Sequence, residues 1–247
     1  MRGFGLKFGI VGDIHANREA LEAVLADAEE QGVERFACVG DVVGYNADPN
    51  WCLAKVREIA DGEVVRGNHD HYCSHDEDLT GFHPLAAAVV KWTRERLSDE
   101  EKAWLRALPY EKETETFRMV HGTLDMPEQW GYVFDKLQAD ASMGYQFNSV
   151  CFFGHTHLPL GFEKAGGQLR GGLYARLNIV AGRKYFINVG SVGQPRDGDW
   201  RAAYAIYDMA KNQVELRRVE YDLKTAQEKI RAAGFPPRAA ERLAQGR

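Results

Sequence analysis

The chain is short of several things, and each shortage removes a class of answer. Only four of its 247 residues are cysteine, with no CxxC spacing, so neither a disulfide framework nor a thiolate metal site is indicated. Cys38 and Cys151 lie in apolar runs, Cys52 in a predicted helix and Cys73 in a predicted loop, which reads as buried, reduced thiols. No apolar stretch reaches membrane-spanning length, and the opening MRGFGLKFGIVGD runs straight into a strand without a secretory apolar core; the expectation is a cytoplasmic protein with no membrane partner. Positive charge is not in excess: 31 Lys and Arg against 36 Asp and Glu leave −5, and coating nucleic acid needs a clustered cationic surface. No repeat or Pro/Gly/Ser-rich linker divides the chain. It reads as one domain over 1–247, with a helical and loop insertion at about 71–110.

What the chain does have is histidine and carboxylate at the ends of strand-like runs. These are FGIVGDIH (Asp13, His15), FACVGDVVG (Asp41), VVRGNHD (Asn68, His69, Asp70), FRMVHGT (His121) and VCFFGHTHLP (His155, His157), holding five of the eight histidines. Strand ends lie near the core, where a carboxylate or imidazole is expensive unless a charge compensates it. Divalent cations supply that charge. Oxygen donors mixed with imidazoles suit Mn²⁺, Fe or Zn²⁺ rather than Ca²⁺, and seven candidate ligands exceed one open tetrahedral site.

Apolar runs at 6–11, 36–39, 63–65, 117–120, 150–153 and 185–189 predict buried strands, the first three alternating with helices. Asn17 and Gly32 bracket one amphipathic helix, and a second covers 49–60. Further helices are expected at 84–97, from Ser98 to about Leu108, and near 223–233 and 236–245, with a hairpin of 202–208 and 213–221. Two sheets flanked by helices accommodate this order. Ligands in open α/β sheets collect beyond the carboxyl ends of strands, where all five motifs sit.

GDxH, GDxxG, GNHD, a lone His after a strand and GHTH, in this order from about Phe8 to His157, resemble the calcineurin-like metallophosphoesterases. INVGSVGQPRDGD, residues 187–199, resembles the closing loop of that superfamily's small bacterial and archaeal phosphodiesterases. The resemblance implies an α/β fold, a four-layer αββα sandwich of two mixed β-sheets flanked by helices. It implies two divalent transition-metal ions, Mn²⁺ first, with Fe, Zn²⁺, Ni²⁺ or Co²⁺ as alternatives. Asp13, His15 and His157 would hold one ion and Asn68, His121 and His155 the other, with Asp41 bridging. Within DxH and HxH, extended backbone would turn residues i and i+2 to one side.

The implied reaction is in-line attack of a metal-bridging hydroxide on a small phosphodiester, with His69 as general acid and Asp70 orienting it. Arg66 matches a phosphate-clamping arginine of the family, and Arg196 is a second candidate for substrate binding. Phosphoprotein phosphatases of the superfamily carry GDxVDRG where this chain has GDVVGYN, so Gly44 and Tyr45 replace an Asp-Arg pair and tilt the reading toward diesters. A phosphomonoesterase or phosphoprotein phosphatase, and a non-catalytic protein-binding scaffold, are the alternatives; a homo-oligomer is left open. Asn188 and Ser191 are further candidates to face the site. His71, His75 and His83 fall in a polar segment read as a solvated loop, and most of the five tryptophans read as packing residues.

Overall fold

The first strand, β1 (Lys7–Val11), shows how the layers arise: Phe8 and Ile10 point into a cluster shared with a second sheet, while Val11 points the other way, toward helices. The computed structural model describes residues 6–80 and 82–247, so the segment before Leu6, expected to lead directly into this strand, lies outside the described residues.

From β1 the chain runs through α1 (Arg18–Glu30), β2 (Arg35–Cys38) and α2 (Pro49–Ala60). Helices α3 (Asn68–Ser74), α4 (Pro84–Arg94) and α5 (Asp99–Ala107) follow, then β3 (Glu111–Glu113), β4 (Arg118–Val120), α6 (Lys136–Met143) and β5 (Val150–Phe153). The remainder is β6 (Leu160–Ala165), β7 (Gln168–Leu173), β8 (Arg176–Asn178), β9 (Lys184–Asn188), β10 (Ala202–Asp208), β11 (Gln213–Val219), α7 (Leu223–Ala232) and α8 (Pro237–Gln245). One mixed sheet has the order β2-β1-β10-β11-β8 and the other β3-β4-β5-β9-β6-β7. Strands β1 and β2 pair in parallel, as do β4, β5 and β9, so the carboxyl ends that carry the motifs point together within each sheet.

Three apolar clusters fill the spaces between four layers. Phe8, Ile10, Met119, Phe152, Ile187 and Tyr207 lie between the sheets. Val11, Cys38 and Tyr204 back the first sheet against Leu21, Leu53 and Ile230 of the helices, while Cys151, Phe153 and Phe186 back the second against Ala139 and Met143 of α6. Phe152 is fully buried with Phe117 and Tyr207 at centroid distances of 5.3 and 5.9 Å, so truncating it to alanine should cost roughly 3–5 kcal/mol. Asn17 caps α1 through Ala20 N, and Ser98 with Glu101 forms the expected capping box of α5.

Some local expectations change. The run at 63–65 contributes only a single bridge, Val64 to Cys38, because α2 delivers it to the sheet for one residue before the chain turns away at Gly67. The segment expected to be a solvated loop begins as α3, where His71 is partly buried, stacked on His75 at 4.2 Å and beside Trp130 at 5.0 Å. Cys73 also belongs to that helix, and all four thiols are free and buried. Among the described residues no helix is long and apolar enough to cross a membrane.

Candidate metal centre

Loops after β1, β2, β4 and β5, together with the start of α3, deliver all seven candidate ligands to one place. Asp13, His15, Asp41, His121, His155 and His157 are each buried, and their donor atoms fall into tight groups: Asp13 with His15 and His157, His15 with Asp41 and His69, and Asp41 with His121 and His155. Asn68 joins through Oδ1, 3.2 Å from His121 Nε2. Asp41 Oδ2 lies 3.3 Å from His121 Nε2 and 3.6 Å from His15 Nε2, between the two sets of imidazoles. Asp13 Oδ1 is 3.3 Å from His157 Nε2.

The backbone reaches this arrangement by a route other than extended chain. Asp13, His15, Asp41, His155 and His157 all have left-handed φ, from 47° to 68°, and such residues cost about 1–3 kcal/mol each unless their surroundings fix them. Backbone bonds do the fixing: Asp13 N to Gly40 O, His15 N to Asp41 O, and Gly154 N to His121 O tie the loops to one another. Ser191 Oγ donates to Asp13 O and Asn188 Nδ2 donates to Gly154 O, so these two hold loops in place. Glycine is required at two close approaches, since a Cβ on Gly67 would stand 2.0 Å from Asp41 Oδ1 and one on Gly154 2.5 Å from Asp13 Oδ2.

Three histidines have their tautomer decided. Nδ1 of His15, His121 and His157 lies 3.0, 2.8 and 2.6 Å from the carbonyl oxygens of Val43, Val39 and Gln194, and a carbonyl only accepts. Each ring therefore donates from Nδ1 and, when neutral, turns an Nε2 lone pair inward, as metal-ligating histidines do. His155 Nε2 is buried with no partner among protein atoms. Orphaned and mutually facing lone pairs beside two carboxylates are a poor protein interior but a suitable cage for divalent cations.

The electrostatics agree. Burial pulls His15 and His157 well below the ordinary histidine value and His155 down to about 3, so these rings stay neutral. Burial also lifts Asp13 to about 7, with Asp41's charge adding to it. Burial opposes charge on Asp41 and His121 alike, yet the nearby imidazoles hold Asp41 well below the carboxylate range, and Asp41 draws His121 up to about 9.

The remaining site expectations divide. His69 N donates to Asp41 Oδ1 at 2.8 Å, and its ring meets His15 edge-on at 4.9 Å, with Nδ1 buried and unpaired. Burial lowers its pKa. Asp70 does not orient that ring: its carboxylate accepts from the backbone N–H groups of Asp41, Val42, Val43 and Gly67 at 2.8–3.2 Å, holding the Asp41 loop instead. Burial, then Asp41's charge, lifts Asp70 to about 7. Arg66 is diverted altogether. Its guanidinium donates to the carbonyls of Leu108 and Arg106 and stacks over Tyr110, because the α5 end needs donors for its open carbonyl groups. Arg196 stays with the site: its backbone N bonds His157 O at 3.3 Å, Nη2 donates to Gln194 Oε1 at 2.9 Å, and Nε is buried without a partner.

Of two aromatic neighbours, Tyr45 was marked in the sequence only as a departure from a related motif, and Tyr132 carried no signal at all. Tyr45 packs 4.7 Å from His15 and 4.5 Å from His69, and Tyr132 stacks on His155 at 4.0 Å. Neither belongs to a periodic run, and only the folded loops bring them in.

Fold and site together define a metal-handling α/β protein whose donor set suits hard or borderline divalent cations. The model of the calcineurin-like phosphoesterase superfamily domain matches residues 6–212, and the chain belongs to that superfamily. It is 37% identical over 244 residues to an uncharacterized protein of Methanocaldococcus jannaschii, covering 96% of this chain and 97% of that one. A metallophosphoesterase from Sphaerobacter thermophilus superposes with a TM-score of 0.88 at 35% identity, covering 98% of this chain and all of the other. A hypothetical protein of Pyrococcus horikoshii shares the fold at 20% identity, with a TM-score of 0.78 and coverage of 98% and 99%. Membership supports a phosphoester hydrolase and implies divalent metal ions, for which the His and Asp clusters are suited.

Proposed function

We propose that the protein is a two-metal phosphodiesterase acting on a small phosphate diester, with Mn²⁺ as the preferred ion. Asp13, His15 and His157 would hold one cation and Asn68, His121 and His155 the other. The observation that carries the reading is Asp41 Oδ2, within 3.6 Å of an imidazole nitrogen from each set. Cations bound there supply Lewis-acid charge that activates water and neutralises phosphate oxygens.

The protein's own groups do the rest. Nδ1 of His69 faces Gly44, where a Cβ would come within 2.5 Å, which leaves Nε2 to meet the leaving oxygen. An anionic substrate beside the ring favours its protonated form, and Nε2–H then donates the proton to the departing alkoxide or aryloxide. Asp70 positions Asp41 through the loop amides. Arg196 keeps donors free for a phosphate oxygen.

Preference for a diester follows from charge. A phosphomonoester is a dianion that favours a pair of guanidinium groups, but Arg66 is committed to backbone carbonyls and Tyr45 stands where the other arginine would be. Rates on an aryl phosphate diester and the matching monoester with Mn²⁺ test this. The diester should turn over faster; a clearly faster monoester would reverse the assignment.

A further inference from the structure

Beside the metal centre opens a cleft of about 850 Å³, whose walls come from Tyr45, Arg196, the start of α4 and helix α8. It is continuous with the site: Tyr45 packs on His15 and His69, and Arg196 bonds to His157 through its backbone. Four guanidinium groups line it, those of Arg196, Arg238, Arg242 and Arg247, with Pro84 and Leu85 supplying an apolar side.

Arg217 is paired with Asp27 and Arg218 with Asp197, whereas among the described residues no Asp or Glu carboxylate lies in ion-pair reach of Arg196, Arg238 or Arg242. Arg242, half-buried, donates from Nε to the main-chain oxygen of Arg247, the last residue, at 3.1 Å, and burial together with its neighbours Arg196 and Arg238 lowers its pKa. Glu241 is the single acidic residue of the lining, and it is exposed. Like charges held together in a concave, partly desolvated place repel unless an anion joins them.

Resting on the phosphodiesterase reading above, we infer that this cleft is a second anion subsite, and that the substrate is a diester carrying another phosphate group on the part that lies over Tyr45, Pro84 and Leu85. Arg196 stands between the reacting phosphate and this second one; Arg238 and Arg242 touch only the second. The apolar side suits a sugar or a flat ring between the two phosphates.

Two substrates with one leaving group test the subsite: thymidine 5′-(p-nitrophenyl phosphate) and the same ester phosphorylated at the 3′ position. The protein should favour the phosphorylated ester by about tenfold or more in kcat/KM, chiefly through KM. An Arg238→Ala, Arg242→Ala double variant should lose that preference and turn over the simpler ester within about twofold of the parent. No preference in the parent, or an undiminished one in the variant, would overturn the inference. Fluorescence anisotropy with pyrenetetrasulfonate, a polyanion that chelates metals poorly, separates this from the reaction itself. Salt-sensitive binding that weakens in the double variant supports the cleft even if neither ester is hydrolysed, an outcome that would remove only the phosphodiesterase reading. Binding unchanged in the variant counts against the cleft.

Discussion

The Nε2 atoms of His15 and His157 face each other at 3.1 Å, although each ring has already donated its other N–H to a backbone carbonyl. Two neutral imidazoles in that state present lone pair to lone pair. A cation or a proton must sit between them, and the consequences can be measured.

Metal uptake should release protons. His121, drawn up to about 9 by Asp41 against the effect of burial, carries a proton at neutral pH, and Asp13, lifted to about 7 chiefly by burial, is partly protonated there; a cation must displace these protons. Apparent Mn²⁺ affinity should therefore rise from pH 6 to pH 9. Calorimetry in buffers of different ionisation enthalpy should show net proton release near pH 7; an affinity flat across that range would contradict the assigned charges.

His69→Ala should retain metal, because its ring nitrogens are not needed by either set. Turnover should fall by about 10²–10⁴ on esters with alkoxide leaving groups and far less with p-nitrophenolate, which leaves without help. Metal content by mass spectrometry and a leaving-group series check this. An equal loss on all esters would remove the proton-donor role.

Asp70→Ala should weaken metal binding without touching a ligand, since four loop amides lose their acceptor and Asp41 loses its fixed position. Leaving those buried N–H groups unpaired costs about 1–3 kcal/mol each before relaxation. The expected signature is a lower melting temperature together with a metal affinity reduced by about tenfold or more. Unchanged Mn²⁺ titrations would refute it.

Away from the site, Asp27 joins α1 to the first sheet, bonding Tyr204 Oη at 2.7 Å and Arg217 at 2.7 and 3.1 Å. Burial works against its charge, but these donors hold its pKa below the ordinary 3.8. A depressed carboxylate stabilises the fold fully above its unfolded value and loses that contribution as pH falls through the folded one. Asp27→Asn should thus be less stable than the parent at pH 7, with the gap closing below about pH 3.8 in urea melts at stepped pH. A gap that persisted into acid would mean packing, not charge, decides this contact.

The sequence reveals the metal centre more fully than its surroundings, for a physical reason. Ligand chemistry restricts residue type, so Asp, His and Asn after apolar runs stand out, and unbroken apolar runs such as FGIV or VCFF already mark strands buried on both faces. Support comes from backbone atoms or from residues of any type: Gln194 contributes a carbonyl, Tyr132 a ring face, and Asp70's partners are amides. None leaves a pattern. Arg66 shows the reverse error, a motif position whose side chain was claimed by the open end of a neighbouring helix. Strand β7 was equally silent, because QLRGGL mixes charge and glycine at the edge of the second sheet, where little apolar surface is hidden.

The left-handed residues of the metal centre set two requirements against each other at one peptide. Glycine at position 155 or 157 would relax the backbone and delete an imidazole in the same stroke. Laboratory evolution toward heat resistance alone would find such replacements rewarding, and would arrive at a sturdier molecule that no longer reacts.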